Sequence, residues 1–135
     1  MYRHNHNRYC AFLAFAFLWY FTAVPGEAGA AEQEFPDVVV ADVKPHGTDT
    51  FDFDVTISSP YDTPQRYADG FRVTGPNGVI YGERKLWHDH AEEQPFTRDL
   101  YGVKIPPSVH NIIIQARDQR YGYGGKSLEI TLPGR

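Results

Sequence analysis

Two histidines separated by one aspartate stand out in the middle of the chain, in the segment "LWHDHAEEQPF" (86–96). In an extended backbone, residues two apart point to the same side, so His88 and His90 could present two imidazoles to one ion. Imidazole nitrogens combined with a carboxylate suit zinc or Cu(II). We expect Asp118 to supply the third ligand, with the two glutamates after His90 as alternatives. The pattern thus predicts a divalent metal site.

The acids near His90 also have an explanation that needs no metal. In "PFTRDLYG", Arg98 shares a strand face with Phe96 and Leu100, and a cation on an apolar face requires a partner. Glu93 or Asp118 could supply that partner. On this alternative, the histidine segment is a solvated loop held by an ion pair.

Aromatic side chains accompany the histidines and suggest a second kind of site. Trp87 precedes His88, and "RYGYGG" (120–125) alternates Tyr121 and Tyr123 with glycine. Tyrosine and tryptophan offer apolar area together with a hydrogen-bonding group. Arg98 adds an arginine, a residue type that is enriched at interfaces. These residues could contact a sugar ring or a partner protein. The alternative is a glycine-rich hairpin turn whose rings only cover one end of the fold.

Catalysis finds little support in the residue pattern. Ser108 and Ser127 do not lie in a nucleophile turn such as G-x-S-x-G. Cys10 is the only cysteine, so residues 31–135 contain no thiolate nucleophile or ligand. The chain has 13 basic and 17 acidic residues, a net charge of −4, and no basic cluster. These features predict a protein that is not an enzyme and does not bind nucleic acid.

Residues 1–30 read as a targeting segment. Arg3 and Arg8 precede the apolar run "AFLAFAFLWYFTAV" (11–24), and Ala28-Gly29-Ala30 has the small-x-small form of a cleavage site. A run of this length is shorter than the bilayer core, although an uncleaved anchor is the alternative. We expect a cleaved signal peptide, a periplasmic or secreted bacterial protein and one domain over 31–135, with no membrane attachment after cleavage.

The mature part has the period-two pattern of β-strands. In "TFDFDVTIS" and "NIIIQARD", apolar residues alternate with polar ones, and Asn77-Gly78 separates two strand-like runs as in a hairpin. The pattern predicts an all-β fold, a seven-stranded immunoglobulin-like or fibronectin-type sandwich, with a partly open barrel as the alternative. The predicted strands are 37–44, 50–58, 67–74, 79–86, 96–102, 109–117 and 126–132.

Antiparallel connectivity then assigns the loops to ends. Alternate connections fall at the same end, so the loops 59–66, 87–95 and 119–125 should meet. This grouping places His88, His90, Asp118 and the tyrosines together. It places His46 and His110 at the opposite end.

Several motifs after Tyr67 resemble those of a known group of proteins. "YADGFRV", "GPNGVIYGERKL", "HDH", "EQPFTR", "GVKIPPSV" and "ARDQRYGYGG" together resemble a family of small exported bacterial proteins with no assigned activity. Asp89 stands where that pattern commonly has a proline. The resemblance implies export and a β-rich fold, and it supplies no catalytic residues. The sequence therefore predicts an exported, non-enzymatic module that binds an unknown small ligand or protein at one end.

Overall fold

The computed structural model describes residues 33–135, and the predicted targeting segment lies outside the described residues. This part belongs to one compact unit, Ala31–Arg135. It contains eight strands and no helix: β1 Asp37–Pro45, β2 Thr50–Ser58, β3 Ala68–Thr74, β4 Ile80–Lys85, β5 Phe96–Lys104, β6 Asn111–Asp118, β7 Gly122–Tyr123 and β8 Leu128–Thr131. Accordingly, no helix in residues 33–135 is long and apolar enough to cross a membrane.

The strands form two antiparallel sheets, which fits a β-sandwich. The first sheet has the order β1-β2-β5. The second has the order β4-β3-β6-β7, and β8 also pairs with β6. The all-β prediction is confirmed at this level.

Strict alternation of apolar residues explains where the strands lie and which side of them is buried. Along β2, every second residue from Phe51 to Ile57 is buried, and β6 repeats this pattern from Ile112 to Ala116. These side chains, which include the fully buried ring of Phe53, pack with the buried rings of Phe71 and Phe96 in one core between the sheets. Such burial is the main source of stability in a fold of this size.

The segment 119–125 differs from its prediction as a loop. It contains β7, in which Gly122 and Tyr123 pair with Asp118 and Arg117. A positive φ of 81° at Gly122 lets the chain reverse immediately after β6. A pairing of two residues has no periodicity of its own, so the sequence pattern does not reveal it.

The outer face of the first sheet is acidic. Asp54 on β2 lies directly opposite Asp42 on β1 and Asp99 on β5. Like charges at directly opposed positions repel each other. Lys44 contacts Asp42 at 3.1 Å, and the Tyr101 hydroxyl donates to Asp54 at 3.0 Å, so the repulsion is partly offset.

Strand β1 lies at an edge of the first sheet and is irregular near its start. The register with β2 shifts between Val38 and Val40, and Val39 and Val40 are 52% and 53% exposed. The Val38 amide donates instead to the carbonyl of Lys126, just before β8 of the second sheet. A β-bulge of this kind bends a strand and interrupts its ladder of hydrogen bonds.

Candidate functional site

Three connections meet at one end of the sandwich, as the antiparallel connectivity predicts. The Ser59 amide donates to Gln94 Oε1 at 2.8 Å, and Gln94 Nε2 donates to the His90 carbonyl at 3.0 Å. The His90 amide in turn donates to Asp62 Oδ2 at 3.0 Å. These bonds tie the connection after β2 to the connection after β4. We call this end, with residues 59–67, 86–95 and 119–121, the histidine end.

His90 is buried beneath the surface of the histidine end. His90 is 4% exposed, and its ring stacks on the Phe96 ring with a centroid distance of 3.9 Å and an interplanar angle of 12°. Its Nδ1 atom is buried and has no hydrogen-bond partner among the residues that the structure describes. Burial lowers the pKa of His90, and the nearby charges of Arg98 and His88 lower it further. Burial therefore favours the neutral form of the ring.

Asp62 is the carboxylate nearest to the orphaned nitrogen. Its Oδ2 atom lies 3.8 Å from His90 Nδ1, which is too long for a hydrogen bond. Both of its oxygens are engaged, because Oδ1 accepts from the Ala68 amide and Oδ2 from the His90 amide. Asp62 is buried and ties the start of β3 to the connection after β4.

His88 lies beside His90 but is exposed. The two rings are 4.9 Å apart between centroids and tilted by 40°. The Nδ1 atom of His88 lies 2.8 Å from the Asp89 carbonyl, which can only accept, so Nδ1 carries the proton. In the neutral ring, that arrangement leaves the Nε2 lone pair available to a ligand.

Asp118 lies at the same end but serves a different purpose from the predicted third ligand. It is fully buried, and its Oδ1 atom accepts from the amides of Arg120 and Tyr121, both at 2.8 Å. Its Oδ2 atom accepts from the Tyr61 hydroxyl at 2.8 Å and from Arg66 Nε at 3.1 Å. Within residues 33–135, no group of three His, Cys, Asp or Glu side chains is placed to hold a metal ion. The structure brings His88 and His90 together without a third such ligand.

The predicted partner of Arg98 is found, and it is Glu93, not Asp118. Arg98 donates from both terminal nitrogens to the two Glu93 oxygens, at 3.2 and 2.8 Å. This pair lowers the pKa of Glu93 and raises that of Arg98. The guanidinium carbon also lies 5.5 Å from the centroid of the Phe96 ring. Glu93 of the histidine segment is thus joined to β5 by an ion pair, the contact that the sequence predicts for Arg98.

Aromatic and cationic side chains form a second layer at the histidine end. The Arg66 guanidinium lies 4.3 Å from the Tyr61 ring centroid and 4.9 Å from that of Tyr121. Trp87 is 79% exposed, and Lys85 Nζ lies 5.6 Å from its ring. A cation above an aromatic ring is attracted to the face of that ring. Each of these rings therefore has a cationic neighbour even at the surface.

Tyr123 lies on β7 instead of in a loop. Its ring packs on the Arg72 guanidinium at 3.8 Å, and its hydroxyl donates to Glu83 Oε1 at 3.1 Å. Burial, with help from the Glu83 charge, raises the pKa of Tyr123 to about 12. Tyr123 therefore cross-links strands of the second sheet.

Comparisons of the chain with protein-family models, with curated proteins and with solved structures gave no match.

Sequence reasoning missed Arg66 and Gln94, which connect the three segments. Arg66 has no pattern around it that singles it out: Tyr61 is five residues away with no distinctive spacing, and Asp118 lies in another segment. Gln94 had a signal, because it lies in "EQPFTR", one of the more distinctive stretches of the chain. Its amide can donate and accept at once, which suits a link between two loops.

Proposed function

We propose that this chain is an exported, non-enzymatic binding module that holds a protein partner at the histidine end. The observation that carries the proposal is Trp87, a large apolar side chain left 79% exposed at this end. Tryptophan, tyrosine and arginine are the residue types that most often dominate the energy of protein interfaces. Trp87, Tyr121 and Arg66 supply all three types at one end of the fold.

The rigidity of this end supports the same proposal. Asp62, Gln94 and Asp118 fix the connections through hydrogen bonds to buried or half-buried groups. A surface that is ordered before it binds loses less conformational entropy on association. The exposed indole is therefore presented on a scaffold that needs little rearrangement.

The strand order supports an immunoglobulin-like or fibronectin-type assignment. The chain places β1 and β2 in one sheet, crosses to β3 and β4 in the other, returns for β5 and crosses again for β6. Since β7 and β8 both pair with β6, they act as one interrupted final strand. Modules of this class commonly bind through loops clustered at one end of the sandwich.

Export rests on residues 1–30 and on the resemblance to exported bacterial proteins. It is tested by mass spectrometry of the protein made in a bacterial host. We expect a chain that begins at Ala31 and is recovered from the periplasm or the medium. A chain that starts at Met1 and stays with the membrane contradicts cleavage.

Partner binding is tested by site-specific photocrosslinking from position 91, which is exposed in the same segment and leaves Trp87 in place, followed by identification of the crosslinked protein. Binding of that purified protein is then measured for Trp87→Ala and Tyr121→Ala. Tyr101→Ala is the matched control, because Tyr101 is 57% exposed on the outer face of the first sheet. We expect Trp87→Ala to weaken binding by about 30-fold or more, as at an interface hot spot, and Tyr101→Ala to leave it unchanged. Equal affinities of Trp87→Ala and Tyr101→Ala for the partner contradict the proposal.

A second candidate, a zinc or Cu(II) site at His88 and His90, is favoured by the orphaned Nδ1 of His90. With two protein ligands, any ion would complete its coordination with water or with a group from a bound molecule. Calorimetric titration with zinc or Cu(II) tests it, with His88→Ala and His90→Ala as variants and His46→Ala as the control. Binding that is weaker than about 100 µM, or that survives both variants, removes this candidate.

A further inference from the structure

A groove lies at the end of the sandwich opposite to the histidine end. It has a volume of about 290 Å³ and lies between the β3–β4 turn, β4 and the connection from β5 to β6. We call it the turn groove. Its lining includes Pro76, Asn77, Tyr81, Ser108, Val109 and His110.

The wall made by the β3–β4 turn is closely packed. A Cβ atom on Gly75 would lie 2.8 Å from Asn77 Oδ1 and 3.1 Å from the Tyr81 hydroxyl oxygen, so both side chains lie close against this glycine. The Asn77 side chain also accepts from the Val79 amide at 3.3 Å. The tyrosine ring and the amide are therefore held against the turn.

The opposite wall is held by Arg135. Its guanidinium donates to the carbonyls of Val109 at 2.7 Å, Ile105 at 2.7 Å and Pro106 at 2.5 Å. It also pairs with Asp49 at 2.9 Å, and its side chain is 10% exposed. These four bonds from the nearly buried Arg135 guanidinium fix the connection that carries Ser108 and His110. The groove is thus a formed feature of the fold.

The lining has the chemistry of a site for a neutral ring. Tyr81, Pro76 and Val109 provide apolar surface, and four polar side chains surround it. Among the residues described, the Ser108 hydroxyl and the His110 ring form no hydrogen bond, while the Asn111 amide oxygen accepts from Thr131 and leaves its NH₂ group available. No Asp, Glu, Lys or Arg belongs to the lining residues that the structure describes. Ligand sites typically combine an apolar surface with a few convergent polar groups.

We propose that the turn groove binds an uncharged sugar ring. One face of a pyranose is apolar and packs on a tyrosine or proline ring, while its hydroxyls bond to hydroxyl, amide and imidazole groups. A charged ligand would lose its hydration without meeting an opposite charge. The proposal is independent of partner binding at the histidine end, because the two sites share no residue.

The test is a nuclear magnetic resonance titration of the ¹⁵N-labelled protein with three probes: methyl α-D-glucopyranoside, methyl β-D-galactopyranoside and N-acetylglucosamine. Glucuronate serves as the charged counterpart. A small open site of this kind should have a Kd of about 1–20 mM, which is measurable by shifts up to ~50 mM ligand. We expect at least one neutral sugar to shift the amides of Tyr81, Val109 and Asn111, and glucuronate to shift them at least fivefold less.

The double variant Ser108→Ala/His110→Ala removes the two lining side chains that form no hydrogen bond among the described residues, and both are exposed, so the fold should tolerate the change. It should weaken sugar binding by about tenfold. His46→Ala is the matched control, since His46 lies at the same end, is exposed and bonds to Asp52 outside the groove. No shift with any neutral sugar overturns the proposal. Shifts that are equal for glucuronate, or that persist unchanged in the double variant, also overturn it.

Discussion

Asp118→Asn isolates the one negative charge on which the turn from β6 to β7 is built. The carboxylate is fully buried and accepts four hydrogen bonds, two from the turn amides of Arg120 and Tyr121 and two from Tyr61 and Arg66. Asparagine has the same shape, and its amide oxygen can keep both turn amides. Its NH₂ group then faces the Arg66 guanidinium, where the carboxylate oxygen had accepted.

The size of the effect follows from what is lost. Removing one partner of a buried ion pair costs about 3–5 kcal/mol, but the Arg66 side chain keeps 15% exposure and retains its bond to the Glu34 carbonyl. We therefore expect Asp118→Asn to cost about 2–3 kcal/mol. Asp118→Ala should cost about 3–5 kcal/mol, because it also leaves the two half-buried turn amides without their acceptor. Tyr61→Phe removes one of the four bonds and should cost about 1 kcal/mol.

Urea unfolding monitored by tryptophan fluorescence or circular dichroism measures these differences. With an m value of about 1–3 kcal/mol/M for a domain of this size, Asp118→Asn should lower the midpoint by roughly 0.7–3 M. Asp42→Asn is the matched control, because the Asp42 side chain is 62% exposed, and its midpoint should stay within about 0.3 M of the parent. If Asp118→Asn shifts the midpoint no more than Asp42→Asn, the carboxylate does not hold this end together.

Three further changes test other parts of the structure. Because burial lowers the pKa of His90, folding favours the neutral ring, and the stability that this ring contributes is fully present above about pH 6.5 and falls as the pH drops below that value. The thermal midpoint of the parent should therefore fall between pH 7 and 5, and that of His90→Phe should fall less. Equal dependence of the midpoint on pH in the two proteins would contradict this. Gly124→Ala places a methyl group against the Phe35 ring and should lower the free energy of unfolding by about 1–3 kcal/mol. The thermal midpoint should then fall by at least ~4 °C, and an unchanged midpoint would show that the ring moves freely. Asp54→Asn relieves repulsion between opposed aspartates and should raise the free energy of unfolding by about 0.5 kcal/mol at low salt. This gain should disappear in about 1 M NaCl, because salt screens the charges. A gain that does not depend on salt would rule out the electrostatic cause.

The strands were predictable because their signal is local. Alternation within "TFDFDVTIS" and "NIIIQARD" gives both the extent of β2 and β6 and the buried face of each. The meeting of three loops at one end followed from antiparallel connectivity alone. The pairing of β7 was missed because two residues cannot show a period.

The contacts of the candidate site were predictable only in part. The turn bonds of Asp118 to the amides two and three residues later are a local habit of aspartate and could be inferred from sequence. Its bonds to Tyr61 and Arg66 join residues 57 and 52 positions apart, and nothing local specifies them. The stacking of His90 on Phe96 has the same character, since "HAEEQPF" equally allows a histidine that faces solvent. Choosing among carboxylates required the folded backbone.

The bulge at the start of β1 has a consequence for behaviour at high concentration. An exposed edge with two neighbouring valines is the kind of segment on which a strand from another molecule can add, the first step towards aggregation. At Val39 and Val40 the ladder is out of register, and the Val38 amide is already bonded to Lys126. An incoming strand would thus find its apolar contacts without a continuous row of donors and acceptors. The irregularity lets the protein keep an apolar edge while remaining a poor template for fibres.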